Sequence, residues 1–412
     1  MLKLLPGRDD EPIRIRLCHR PLSSLSLCEA LSYEWGSLTR DHELICESKI
    51  LQVTSNLLAA LKRLRPTKSL SGVLKKGKLP WKSRLLWIDA LRINQDDIAE
   101  RSDQVKLMAD IYRNSKRTLV WIGEEPPLAK ESFRLISMIA KVIEHLDLNS
   151  WQMPELGFLH EDYEIMRGYS LKQLKEDPIW SSLVDIICHR TYFSRLWTVQ
   201  EIALSSFDDT LICCGCNSLP GRKYRDAAML LQYCNLFEES LAPTHIINLI
   251  NIRFQGDLQR QVQKCEAVLD DCIIATHNRA VSDRRDRVFA LLGMVDDITR
   301  LQLQKVDYSS SLGNIFLAAT ECLIKDSKSL NYLYHYETSV IDRTQEPNIP
   351  SWVSWMEFNP QMKIPTIFEG SGGVFVPKTP VTIHDSVLEV SGFAFDVVVN
   401  AYNNLSKANF KS

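Results

Sequence analysis

Thiols and carboxylates are the groups in this chain most able to do chemistry. The run Cys213-Cys-Gly-Cys216 has the residue types of a zinc site, yet no second cysteine or histidine pair stands at ligand spacing. It also continues an apolar stretch, which favours core or turn thiols. Cys188-His189 joins a nucleophile to a base in sequence only, because adjacent residues on a helix point in different directions. No glycine loop of the Walker or dinucleotide type is present, so ATP-driven chemistry and hydride transfer have no support.

The polar residues offer more. Asp89, Asn94 and Gln95 follow a short apolar run, where they can meet a ligand or cap the turn and the following helix. Glu201 stands four positions after Trp197, about one helical turn, so the two share a face. From spacing alone Glu201 reads as a carboxylate paired with Arg195 or Arg190 in a partly buried helix, holding the second lobe in place. Trp35, Trp87, Trp121 and Trp197 have the character of core aromatics that flank strands. The run Asp283-Arg-Arg-Asp-Arg287 reads as a solvated helix start with local ion pairs.

These residues must be positioned by alternating strands and helices. Glu29–Trp35 and Glu43–Val53 read as strands, and Thr54 and Ser55 supply N-cap chemistry for a helix over about 56–65, with Leu57, Leu58, Leu61 and Leu64 at helical spacing. Leu85–Ile88 suits a buried strand, Glu100–Tyr112 an amphipathic helix, and Thr118–Ile122, closed by Gly123, another strand. This order predicts a parallel sheet with helical crossovers. A basic stretch at 66–83 reads as a surface loop, and about 126–180 as an inserted, variable segment over one edge. Ile179–Cys188 and Ser194–Leu204 resume as helices and Thr210–Cys214 as a strand. The remainder is mostly helical (222–236, 256–277, 283–292, 311–326), with a late strand pair near 374–398, and forms a second, mainly helical lobe.

Composition bounds the function. The chain has 412 residues, 45% hydrophobic and 24% charged, which is ordinary globular usage. Forty-nine basic residues nearly balance fifty-one acidic ones, and a net charge of −2 gives no field that would draw in nucleic acid. No apolar run approaches the roughly 20 residues of a membrane span, and the opening Met1–Asp10 meets proline and charge too early for a signal peptide. Eleven scattered cysteines suggest reduced thiols and a cytoplasmic location.

Three blocks carry a family resemblance: Glu29-Ala-Leu-Ser-Tyr-Glu-Trp-Gly36, Leu86-Trp-Ile-Asp-Ala-Leu-Arg-Ile-Asn-Gln95 with Glu100-Arg101 and Gln104-Val105, and Arg195-Leu-Trp-Thr-Val-Gln-Glu201. In this order they resemble the fungal heterokaryon-incompatibility (HET) domain, over about residues 11–217. Arg285–Gly293, Asp307-Tyr-Ser and Pro350-Ser-Trp-Val resemble the region that comes after this domain in related fungal proteins. Those proteins usually continue further, so a chain ending at Ser412 reads as a shortened product. Arg92 stands where the family usually has cysteine, which removes a reactive thiol and offers a cation for a phosphate or for Asp89.

HET domains are in turn similar to TIR domains, and the resemblance implies an α/β fold with a TIR/flavodoxin-like parallel sheet in residues 1–217, followed by the helical region 218–412. It also implies non-self recognition that triggers programmed cell death, through a NADase (NAD glycohydrolase) site or as a non-catalytic adaptor. Glu201 would be the catalytic carboxylate. Ser32, Tyr33, Trp35, Gly36, Asp89, Arg92, Asn94, Gln95 and Trp197 would surround NAD, which is a substrate and not a resident cofactor. A homo-oligomer and an incompatibility partner protein are the expected partners, and no metal is expected.

Overall fold

The computed structural model describes residues 1–36, 39–66, 83–94, 97–145, 164–166, 169–205, 209–233, 269–276, 279–305, 307–327, 349–350, 352–353, 381–384 and 387–390. The basic stretch (all but its two ends), Gln95, most of 256–277 and much of the late strand region therefore lie outside the described residues.

In chain order the strands are β1 (Leu2–Leu4), β2 (Arg14–Leu17), β3 (Glu29–Tyr33), β4 (His42–Cys46), β5 (Lys49–Val53), β6 (Arg84–Trp87), β7 (Arg117–Trp121), β8 (Glu164–Met166), β9 (Tyr169–Ser170), β10 (Thr210–Cys214), β11 (Asn217–Pro220), β12 (Val381–His384) and β13 (Val387–Val390). The helices are α1 (Ser55–Leu64), the single turn α2 (Asp89–Arg92), α3 (Ile98–Asn114), α4 (Ala129–His145), α5 (Leu171–Glu176), α6 (Ile179–Cys188), α7 (Trp197–Ala203), α8 (Gly221–Tyr233), α9 (Leu269–Thr276), α10 (Asp286–Phe289), α11 (Asp297–Leu303) and α12 (Leu312–Ser327).

Local chemistry sets several of these starts. The Thr54 hydroxyl accepts from the Leu57 amide at α1, the Asp97 carboxylate from the Glu100 amide at α3, and Asp296 from Ile298 and Thr299 at α11. Ser170 and Gln173 form a reciprocal capping box at α5.

Four strands make a parallel centre in the spatial order β10-β7-β3-β6. Numbered along the chain this is 4-3-1-2, the order of flavodoxin-type doubly wound sheets, whose ligand crevice lies beyond the carboxyl ends of the strands. The expected α/β architecture with a parallel centre and flanking helices is therefore present. At the sides the sheet is mixed: β11 joins antiparallel to β10, while β1 pairs antiparallel with both β6 and β2. The sheet ends in β4, parallel to β2, and β5, antiparallel to β4.

Glu43–Val53 corrects the expectation of one strand. It is a hairpin with Cys46 opposite Lys49, turning at Glu47-Ser48 with Glu47 at φ 57°. No glycine or asparagine marks that turn. The helix expected from Ser194 starts later, at Trp197, after a 3₁₀ turn over Thr191–Ser194, and that expected over 283–292 is only the short α10.

Alternation along the strands sorts the layers. Leu31, Tyr33, Leu119 and Trp121 face α1 and the amino-terminal strands. Val120 and Ile122 face the opposite way, into a cluster with α4, α6 and α8. Phe133, Ile136 and Ile139 of α4 are buried in that cluster, so the expected variable decoration at 126–180 contributes a core crossover helix between β7 and β10. A third cluster joins Ala30, Trp87, α3 and α7 to residues from α9, α10 and α12. The helical region after residue 220 thus completes the core beside the sheet. Among the described residues, no helix is long and apolar enough to cross a membrane.

Candidate active site

Ser32 is the one polar residue in the buried middle of β3, and its side chain leaves the sheet on the α7 side. There it meets Glu201, which is only 5% exposed. The Ser32 hydroxyl donates to Glu201 Oε2. Its single proton is committed there, so in the 2.5 Å contact between Ser32 Oγ and the Tyr192 hydroxyl it is Tyr192 that donates. The Tyr112 hydroxyl lies 3.3 Å from the Leu31 carbonyl and also reaches Glu201.

The expected ion pair of Glu201 with Arg195 or Arg190 is not formed among the described residues. Arg190 binds Asp185 at 2.5 Å and the carbonyls of Ile122 and Glu124. Arg195 donates to the Tyr33 carbonyl at 3.1 Å and lies 5.8 Å from the Trp35 ring centre. Burial, reinforced by the charge of Asp89, pushes the Glu201 carboxyl up to about 7 against the opposing effects of Ser32, Arg195 and Tyr112.

Glu201 lies at a cleft of about 560 Å³, in the size range of small-molecule sites. Trp35, Gly36, Asp89, Arg195 and Trp197 line it with Glu201. Trp197 and Glu201 line the same cleft, as their spacing on α7 requires. Asp89 is held by the Trp35 indole at 2.9 Å and by the Ala90 amide at 2.7 Å, and burial raises its carboxyl. Gly36 sits at φ +69°, a conformation that a side chain would strain, at the carboxyl end of β3.

Other predicted residues lie elsewhere. Tyr33 faces the α1 layer, and Tyr33 and Asn94 line a neighbouring hollow. Arg92, at the end of α2, makes no ion pair with Asp89 among the described residues, and it is not part of the cleft lining.

The far wall comes from after residue 280. Ala280 hydrogen-bonds through its backbone to Ser194 and Leu196 on either side of Arg195, at 2.6 and 3.0 Å. Behind it, Arg101 of α3 stacks 3.7 Å over the Tyr308 ring and lies 3.4 Å from Asp283 and 3.6 Å from Asp286. Asp286 accepts from the Tyr308 hydroxyl at 2.5 Å and from the Trp197 indole. The solvated reading of 283–287 is thus corrected: Asp286 is buried between the two parts of the chain. Tyr112, Tyr192 and Asp286 had no local signal in sequence, because their partners are more than twenty positions away or on other elements.

The thiols are not part of this site. Cys213 and Cys214 are buried, Cys216 is exposed in the β10–β11 turn, and no metal-holding group of His, Cys, Asp or Glu occurs among the described residues. Cys188 is buried in the α6 core, where burial drives its thiol far above the usual range and away from nucleophilic use.

Residues 29–201 match the family described as Heterokaryon incompatibility protein (HET). The chain is 26% identical to "Heterokaryon incompatibility protein 6, OR allele" of Neurospora crassa over 445 aligned positions, covering 92% of this chain. It spans 61% of the length of that relative. No solved structure matches. The match opens on Glu29, the first residue of β3, and closes on Glu201, so the segment that resembles the heterokaryon-incompatibility family runs from one side of the Ser32–Glu201 contact to the other.

Proposed function

We propose that this chain acts in heterokaryon incompatibility, in which non-self recognition ends in programmed cell death, and that its cleft hydrolyses NAD through Glu201. The family match and the Neurospora crassa relative support the first part. One observation carries the second: a carboxyl group with no cation partner among the described residues lies at a cleft of nucleotide size, one helical turn from an aromatic wall. We read that arrangement as TIR-like; the 2-1-3-4 order of the parallel strands, that of flavodoxin-type sheets, is compatible with the reading.

The chemistry needs little more. Nicotinamide is joined to ribose in NAD as a cationic pyridinium. When the glycosidic C–N bond breaks, its electron pair goes to the ring nitrogen and neutral nicotinamide leaves, so the general acid of ordinary glycoside hydrolysis is not required. Ionised Glu201 stabilises the positive charge at the anomeric carbon. A water oxygen then bonds to that carbon and passes one proton to Glu201, which releases it to solvent, so NAD and water become ADP-ribose, nicotinamide and a proton overall. Trp35 and Trp197 wall the reacting centre and exclude bulk water. Self-association in the cytoplasm would set the loop around 90–97 and switch the site on.

A second reading is favoured by the depth of Glu201 and its bonds to Ser32 and Tyr112. In it the chain is an adaptor that signals death through self-association or a partner protein, and Glu201 only orders the sheet. NAD consumption by purified wild type and Glu201→Gln, at low and high protein concentration, separates the two when paired with cell death on expression in a fungal host. The enzyme reading requires a folded Glu201→Gln chain to lose both activities. Undiminished killing by that variant assigns the adaptor.

A further inference from the structure

We propose that a second hollow, which shares Trp35 and Ile93 with the Glu201 cleft, is a subsite for the phosphate-bearing nucleoside half of the same ligand. This rests on the NAD reading and extends it. The hollow measures about 430 Å³ and opens where β3 and β6 end and α1 begins. Its lining includes Tyr33, Arg40, Gln52, Thr54, Leu57 and Asn94.

Two polar side chains stand there, Tyr33 and Arg40, and the Arg40 charge acts on the Tyr33 phenol. Tyr33 is 4% exposed and lines the hollow, and its side chain makes no hydrogen bond among the described residues. Arg40 is exposed on the same hollow and has no ion pair among the described residues. A guanidinium with five donors and no carboxylate is matched by a phosphate, and the adjoining start of α1 favours negative charge. Val53, Leu57, Leu91 and Ile93 offer an apolar face on which a flat base can lie.

The two hollows are therefore complementary: one presents carboxylates to a cationic ring, the other a cation and an apolar face to a nucleotide. The Trp35–Asp89 pair stands at their junction, with Trp35 on both linings.

Calorimetric titration of the full chain with adenosine 5′-monophosphate, adenosine and inorganic phosphate tests the assignment. Wild type should bind the monophosphate more tightly than either fragment. Arg40→Ala should weaken that binding about tenfold or more, the worth of a charged hydrogen-bonded contact. Tyr33→Phe, checked for unchanged fold by circular dichroism, should weaken it by less. Absence of monophosphate binding, equal binding by wild type and Arg40→Ala, or equally tight binding of phosphate alone overturns the subsite. A chain that consumes no NAD but still binds the monophosphate through Arg40 removes the enzyme reading and leaves the subsite standing.

Discussion

The Ser32 hydroxyl donates to the Glu201 carboxyl across 169 positions of sequence, and the same oxygen accepts from Tyr192. This relay stabilises the ionised carboxylate, so Ser32→Ala should raise the Glu201 pKa above about 7 and leave the Tyr192 hydroxyl without its acceptor. The loss in stability should be about 1–3 kcal/mol. It should be larger at pH 8, where the bond is charge-assisted, than at pH 5, where Glu201 holds a proton. Urea unfolding of both proteins at the two pH values checks this.

Glu201 also makes stability depend on pH. Its carboxyl rises from 4.5 to about 7 on folding, so between those values the folded chain keeps a proton that the unfolded chain releases. Stability is therefore greatest below about pH 4.5 as far as this group is concerned, and falls by about 3 kcal/mol as pH climbs to 7 and beyond. Asp89 and Asp286, whose carboxyls burial also raises, add to the slope in the same direction. In Glu201→Gln the slope should lose this group's share, while the Met1 amine, which burial lowers to about 6, pulls the other way between pH 6 and 8 in both proteins. Denaturant midpoints compared at pH 5 and pH 8 measure it, and an unchanged slope would refute this account of Glu201. Under the enzyme reading, NAD hydrolysis should rise over the same range, since only the ionised form stabilises the anomeric cation.

Asp286 gathers the Tyr308 hydroxyl, the Trp197 indole and the nearby Arg101 guanidinium at the boundary between the matched segment 29–201 and the later helical region. Asp286→Ala leaves these donors buried without their acceptor and should cost about 3 kcal/mol. Asp286→Asn keeps an acceptor and should recover part of that loss. Equilibrium unfolding of the two variants gives the comparison. Equal losses would mean that the charge on Asp286, rather than its hydrogen bonds, holds the boundary together.

The legible parts of the sequence were those encoded locally. Ile179–Cys188 and Thr210–Cys214 are dense apolar runs with polar ends, and they fold with those bounds as α6 and β10. Thr54 announces α1 because capping depends on its immediate neighbours. The three- and four-residue strands β1 and β2 are too short to show a period, and β4–β5 turns without glycine. Sequence spacing placed Trp197 and Glu201 on one face, but it could not show that the partner of Glu201 is a serine of the first parallel strand. The charge of 283–287 suggested solvent because Arg101 and Tyr308, which cover it, come from elements far along the chain.

Gly293 marks how closely the later region packs on the first. Its amide donates to Gln200 Oε1 at 3.1 Å, one residue before Glu201, and its carbonyl accepts from Arg113 of α3 at 3.0 Å. A β-carbon built there would stand 2.5 Å from Ala109 Cβ, 2.8 Å from Gln200 Oε1 and 3.0 Å from Leu204 Cδ1. Gln200 is on α7, Leu204 caps its end and Ala109 is on α3, where it has no flexible side chain to swing away. Gly293→Ala should therefore force the backbones apart and cost about 1–3 kcal/mol, the usual range for overpacking. Because Gln200 precedes Glu201 on the same helix, the shift should also displace the carboxyl from Ser32 and move its titration. A thermal midpoint and a carbon-13 pH titration of labelled glutamate check both effects. If Gly293→Ala melts with the wild type, the close approach of this segment to α3 and α7 is refuted.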